Sequence, residues 1–222
     1  MLVVLQQVLD PAALEQVRKG LSAAPFLDGR RTAGPVAQEV KRNGQADGRD
    51  PGVLELERLV HQALCAHPVF IDAVRPKKVT RLLFSRYQTG QAYGLHTDDA
   101  VMGDLADPVR SDVAFTLFLS DPQTYQGGAL MIHDPQGAQE IRLPAGDAVV
   151  YPAGSLHEVA AVESGQRLAA VGWAQSLIRD PGQRALLFEL AMARKALAEA
   201  DPLARLRLDK VQAGLLRMWA DA

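Results

Sequence analysis

The 222-residue chain carries five histidines and one cysteine: His61, Cys65, His67, His96, His133 and His157. A lone cysteine cannot build an internal disulfide framework, a multi-Cys zinc site or an iron–sulfur site. A transition metal bound here would therefore rest on imidazole and carboxylate. His96-Thr97-Asp98 is an H-x-D, and on a strand residues i and i+2 face the same way, so both donors can converge on one ion. His157 follows Asp98 by 59 residues, at the start of a strand-like run and just past the turn Ala153-Gly154-Ser155. Two histidines and a carboxylate with the other positions open form the donor set of non-haem Fe(II) oxygenases, where cosubstrate and O₂ must both reach the metal.

Arg167 extends the pattern. It lies ten residues beyond His157, past Glu163-Ser164-Gly165. A guanidinium is always charged and grips a carboxylate through two parallel hydrogen bonds, which suits an acidic cosubstrate that chelates iron at its other end. If runs 156–162 and 166–178 form a hairpin with a three-residue loop and Gly165 left-handed, His157 faces Val171. Arg167, Val171 and Trp173 then share its inward face.

The remaining donors read as structural. His61 lies in a helix pattern and His67 at its end, where a helix dipole partner is expected. His133 precedes the turn Asp134-Pro135, and Cys65 reads as a buried, inert thiol. Arg75-Pro76-Lys77-Lys78 reads as a solvated strand entrance, and Arg110 and Asp112 flank a strand start without an assigned role.

The elements that must position these residues are short. Residues 2–9 read as a first strand, and Asp10-Pro11 opens a helix as N-cap and N1. Segment 28–50, polar and Gly-rich, reads as a long surface loop with a weak strand signal near 32–40. Its Arg30, Arg31, Lys41, Arg42 and Arg49 make it locally basic, a feature that would favour an acidic or peptide-like substrate if the segment borders a pocket. Residues 51–67 read as a helix stopped by Pro68. Strand-like runs at 79–87, 112–120, 128–133, 139–143, 147–152, 156–162 and 166–178, separated by turn signals, suggest a sandwich or jelly roll. Residues 182–200 and 203–220 read as a helical pair, packed on the β core or used in a subunit contact.

Lys+Arg of 24 against Asp+Glu of 26 leaves a net charge of -2, with no basic excess to drive nucleic-acid binding. Hydrophobic residues at 48% and charged residues at 23% suit a globular protein. No apolar run approaches the ~18 residues of a membrane span. MLVVLQQVLD lacks a basic n-region and a cleavage site. A cytoplasmic location without membrane association is the expectation.

The spacing Tyr87-x-x-Gly90-x-x-Tyr93-x-x-His96-x-Asp98 resembles that of prolyl-4-hydroxylase-type 2-oxoglutarate dioxygenases. Stretches 28–45, 116–130 and 146–180, together with the C-terminal helices, resemble the bacterial PKHD-type hydroxylases, so the likeness covers nearly the whole chain. One departure is Gly127-Gly128-Ala129-Leu130, where the family has G-G-E-L. The resemblance implies a mainly β fold with flanking helices: a double-stranded β-helix (jelly roll) core over 1–180 and a helical extension over 181–222. It implies His96, Asp98 and His157 as Fe(II) ligands and Arg167 as partner of the distal 2-oxoglutarate carboxylate. Tyr87 becomes a candidate hydrogen-bond partner of 2-oxoglutarate, and Tyr93 and Trp173 candidate pocket residues. Ascorbate is implied as a supporting reductant.

The expected activity is therefore hydroxylation of a peptidyl-proline, amino-acid or iron-chelator-type substrate, with release of succinate and CO₂. Two other readings compete. One is a jelly-roll protein holding Zn²⁺ or Ni²⁺ in the same triad for hydrolysis or isomerisation. The other is a non-catalytic 2-oxoglutarate or iron sensor whose C-terminal helices contact a partner. Self-association through those helices is a further expectation.

Overall fold

The structure is a computed structural model that describes residues 1–103, 106–197 and 201–221. The chain enters through β1 (Val3–Leu5) and α1 (Pro11–Ala23). The Asp10 carboxylate accepts from the Ala13 N–H at 2.8 Å, with Pro11 in the first helical turn. Next come β2 (Phe26–Asp28), a 3₁₀ turn (Gly29–Thr32), α2 (Pro35–Val40), β3 (Lys41–Arg42) and β4 (Gly44–Ala46). The helices α3 (Pro51–Ala66) and α4 (Pro68–Val74) lead to β5 (Pro76–Val79), β6 (Leu83–Gln88), β7 (Ala92–His96), β8 (Val101–Met102) and β9 (Val109–Arg110). Then follow β10 (Val113–Phe118), β11 (Tyr125–Gly127), β12 (Leu130–Asp134), β13 (Gly137–Ile141), β14 (Ala148–Pro152), β15 (Leu156–Val159) and β16 (Val162–Ser176). The helices α5 (Pro181–Ala196) and α6 (Pro202–Trp219) close the chain. The Asp-Pro start of α1 recurs at α3, α5 and α6, each Asp side chain accepting from a backbone N–H of the first turn.

Two antiparallel sheets build the core. The larger runs β1-β14-β10-β16-β6-β4-β2, with β5 and β11 also on β16; the smaller runs β13-β12-β15-β7-β3. Strand β10 shows how the layers arise. Its Val113, Phe115 and Leu117 pack toward α1, α3 and α4, whereas Ala114 and Phe118 join the cluster between the sheets with Leu130, Ile132 and Tyr151. All six residues of β10 are buried, which is why it reads as a continuous apolar run. The jelly roll with flanking helices is thus the observed fold.

Two expectations are corrected. Runs 156–162 and 166–178 do not form a hairpin: β15 pairs β12 and β7 in the smaller sheet, while β16 pairs β10, β6, β5 and β11 in the larger. Gly165 is left-handed (φ 78°) as expected, but it packs against β11, where a Cβ would lie 2.3 Å from the Thr124 carbonyl. Segment 28–50 is not a loop. It holds a 3₁₀ turn and a six-residue helix over 29–40, then two short strands that cross from one sheet to the other, β3 on β7 and β4 on β6. Pro68 ends α3 but also opens α4. Residues 198–200, the expected end of the first C-terminal helix, lie outside the described residues.

Candidate metal and cosubstrate site

His96 ends β7 and His157 sits second in β15, as direct cross-strand partners. Asp98 follows two residues after His96. One donor atom from each of the three lies within 4.8 Å of the others, and His157 Nε2 is 3.8 Å from Asp98 Oδ1. Each imidazole is held by its own backbone: Nδ1–H of His96 donates to the Gly94 carbonyl at 2.8 Å, and that of His157 to Ser155 at 3.0 Å. This fixes the tautomer and leaves both Nε2 lone pairs for an ion.

The electrostatics suit a cation. Burial, then His157, lowers the pKa of His96 to about 4, so it stays neutral. Burial raises Asp98, with His157 acting in the opposite direction. Asp98 Oδ2 is buried without a hydrogen-bond partner. Such an orphaned carboxylate oxygen, beside two fixed imidazole lone pairs, fits a divalent metal. His96, Asp98 and His157 could together hold such an ion.

Arg167 is 1% exposed, and its guanidinium lies 5.3 and 5.4 Å from the ring centroids of Tyr87 and Phe118. Its Nε and Nη2 have no partner, and among the described residues no carboxylate pairs with it. Tyr87 is its cross-strand neighbour on β6. Gly128 (φ 63°) makes room here: a Cβ would come within 2.9 Å of Val162 Cγ2 and 3.3 Å of Arg167 Cδ. A buried cation with free donors at the end of a cavity fits a dicarboxylate such as 2-oxoglutarate.

One cavity of about 520 Å³ joins these groups, within the size range of small-molecule sites. His96, Asp98, His157, Arg167, Tyr87, Tyr93, Val171 and Trp173 all line it. Arg167, Val171 and Trp173 share a face, as parity requires on one strand, but they look across at His157 from the opposite sheet. Tyr93 stacks on His96 with centroids 3.6 Å apart, and burial raises its hydroxyl pKa. The Trp173 indole N–H beside Asp98 works against the rise in that carboxyl's pKa.

The sequence reading missed several lining residues. Tyr151 meets the His157 ring edge-on at 5.3 Å, and Thr116 lies on the inward face of β10. Thr32, Lys41 and Gln45 come from segment 28–50. Of its basic residues only Lys41 reaches this cavity. Lys41 is 5% exposed, and burial lowers its pKa to about 8. No periodicity marked Lys41 or Gln45, which lie in strands of two and three residues on different sheets.

The other singled-out residues stand apart. His67 caps α3, and its Nε2 meets the Gln6 carbonyl at 3.0 Å. Cys65 is half-buried rather than fully buried; it lies beside His61 on α3, and burial pushes its thiol up. His133 is not a turn residue: it lies in β12 and pairs with Glu158 at 3.2 Å. Arg110 and Asp112 pair at 2.7 Å, and Arg110 also reaches Asp221 at 3.5 Å, fastening the end of the chain. Ala129 is buried between β11 and β12 and does not line the cavity.

A facing pair of antiparallel sheets with a His-Asp-His cluster and a buried arginine defines a 2-oxoglutarate–Fe(II) oxygenase. The sequence model of the 2OG-Fe(II) oxygenase superfamily matches residues 82–175. The chain is 44% identical over 223 residues to a PKHD-type hydroxylase of Shewanella sp. (strain MR-7), covering all of both chains. It is 46% identical over 217 residues to one of Picosynechococcus sp., covering 97% of each. The chain belongs to the PKHD-type hydroxylases, Fe(II)- and 2-oxoglutarate-dependent dioxygenases. Among solved structures, a prolyl hydroxylase of Trichoplax adhaerens in complex with a hypoxia inducible factor peptide aligns with TM-score 0.60 at 16% identity, over 83% of this chain and 86% of that one. A Pseudomonas putida prolyl-4-hydroxylase aligns with TM-score 0.53 at 18% identity, over 79% and 92%. At such identities the likeness concerns the fold. Among the described residues no helix is long and apolar enough to cross a membrane.

Proposed function

We propose that His96, Asp98 and His157 hold the Fe(II) of this dioxygenase, that Arg167 and Tyr87 bind its 2-oxoglutarate, and that Tyr93 and Trp173 shape the pocket. When bound, the metal would couple oxidative decarboxylation of 2-oxoglutarate to succinate and CO₂ with hydroxylation of a substrate C–H bond, one oxygen atom of O₂ entering succinate and the other the hydroxylated substrate. The chain's own part is positioning. Gly94 and Ser155 carbonyls hold the imidazoles in the ligating tautomer. Arg167 supplies a dry, fixed fork for the distal carboxylate, with the Tyr87 and Phe118 rings keeping water from it.

The observation that carries this reading is the pair of orphaned groups in one cavity, the Asp98 carboxylate oxygen and the Arg167 guanidinium. The substrate class is a small molecule or peptide that enters this cavity. The Trichoplax relative is a prolyl hydroxylase solved with a peptide fragment, which supports including peptidyl-proline beside amino acids and iron chelators. Succinate release, aerobic against anaerobic, over a library of these three classes tests it. Metal-bound protein that releases no succinate with any member, yet hydrolyses or isomerises one, supports the Zn²⁺ or Ni²⁺ reading instead.

We also propose residues 1–180 as the catalytic unit and the helical pair from 181 as a self-association surface. Leu203, Leu206, Val211 and Met218 are exposed on α6 and fall within an arc of about 140° at 100° per residue. Light scattering of wild type and Leu203→Glu/Leu206→Glu checks this, a monomeric wild type overturning it.

A further inference from the structure

Three cations line the cavity wall: Lys41, Arg81 and Arg167. Arg81 is compensated by Glu57 at 2.6 Å. Arg167 and Lys41 have no carboxylate in pairing distance among the described residues. Resting on the reading above, the metal's two positive charges, Asp98, the 2-oxoglutarate dianion and Arg167 sum to neutrality. Among the cavity-wall cations of the described residues, Lys41 is then the one left without an ion-pair partner, with Asp98 and Asp28 acting on it only at longer range. A buried ammonium is costly without an anion, and this one sits where a ligand can supply it.

The hydrogen bonds around Lys41 state what that ligand offers. Its Nζ donates to Thr32 Oγ1 at 3.2 Å and lies 4.9 Å from the Tyr93 ring centroid. The Thr32 hydroxyl, already an acceptor, has one hydrogen to donate in turn, with Gln45 Oε1 and the Gly29 carbonyl both in reach. Gln45 is 4% exposed, and its Nε2 is buried without a partner. The unspent donors that Lys41 and Gln45 bring to this corner are the remaining Nζ–H bonds and the Gln45 amide. The corner fits an acceptor-only anionic group. It lies on the strip that crosses between the sheets, Lys41 beside Tyr93 on the smaller sheet and Gln45 beside Ser85 on the larger.

We propose that Lys41, with Gln45, is the specificity anchor for a carboxylate of the substrate. The substrate class is thereby an acid.

The test is calorimetric and needs no turnover. Anaerobic protein loaded with Fe(II) and 2-oxoglutarate is titrated with matched acids and primary amides: acetate and acetamide, benzoate and benzamide, N-acetylglycine and its amide. The expected result is at least one acid bound ten-fold or more tightly than its amide by wild type. The ratio falls to within two-fold in Lys41→Met and stays above three-fold in Lys41→Arg. Lys41→Gln carries the same readout should the methionine variant fail to fold. An acid preference missing from wild type, or equal in Lys41→Met, overturns the proposal. So does a ten-fold loss of 2-oxoglutarate affinity in Lys41→Met, which would move Lys41 to the cosubstrate. Failure of wild type to bind 2-oxoglutarate would instead sink the cosubstrate reading, with the acid-to-amide ratio still measurable on the metal-loaded protein.

Discussion

His96 and His157 face each other across the β7–β15 ladder, with ring centroids 4.3 Å apart. Backbone carbonyls of Gly94 and Ser155 hold both rings, with Tyr93 stacked on one and Tyr151 edge-on to the other. Asp98 has one oxygen unpartnered. Asp98→Ala should therefore leave both imidazoles in place while removing a charge the ion needs. Iron content after anaerobic loading should fall from near stoichiometric to trace. Succinate release should fall more than about 100-fold, beyond the 10–100-fold typical of losing an outer-shell partner. Metal analysis checks the first and a coupled succinate assay the second. Iron-dependent turnover surviving in Asp98→Ala would remove the triad assignment.

Arg167 makes a prediction with two opposite signs. Its buried guanidinium has free donors and no anion, so the ligand-free protein carries an uncompensated desolvation cost. Arg167→Met should raise the melting temperature of the ligand-free protein. The same variant should raise the apparent KM for 2-oxoglutarate roughly 100-fold, corresponding to about 3 kcal/mol of charge-assisted hydrogen bonding. It should retain metal. A variant that melts lower and keeps its KM would show Arg167 to be a packing residue.

Much of this was legible in the chain because strand parity survives errors of pairing. Arg167, Val171 and Trp173 share a face on any strand through 167–173, so they reached the cavity although the hairpin joining them to His157 does not exist. The sheet assignment was not legible, since residues 160–166 carry turn signals whether the chain reverses within one sheet or passes to the other. Segment 28–50 hid its role for a different reason. Strands of two and three residues leave no periodicity to read, and the inward faces of Lys41 and Gln45 are polar because they border a cavity rather than a core. The Asp-Pro helix starts were plain, because capping and a fixed proline φ are local physics.

Gly128 couples the backbone to the cosubstrate end of the site. It is left-handed at φ 63°, and a Cβ there would meet Val162 Cγ2 at 2.9 Å and Arg167 Cδ at 3.3 Å. Gly128→Ala should destabilise the fold by roughly 1–3 kcal/mol in urea unfolding. It should also displace Arg167, raising the KM for 2-oxoglutarate while iron affinity stays within about two-fold, because the proposed iron donors lie elsewhere, at the end of β7, just after it and in β15. A change in iron affinity as large as the change in KM would argue for general loosening instead.

Lys41 links the cavity to pH. Burial lowers its pKa from 10.5 to about 8. Below about 8 the ammonium is charged in both the folded and unfolded chains, and the native state bears the full cost of burying it. Between about 8 and 10.5 the unfolded chain binds more protons, so stability rises with pH. Above 10.5 both states are neutral and the cost is gone. A shift of this size corresponds to roughly 3 kcal/mol at most. Urea unfolding of the ligand-free protein from pH 7.5 to 10 should show this rising contribution as a difference between wild type and Lys41→Met, which cancels the titration of other groups. The variant should be the more stable at pH 7.5, and the gap should narrow steadily toward pH 10. A gap that does not change with pH would mean that the Lys41 ammonium is solvated in the free protein, and its burial in the cavity wall would have to be given up.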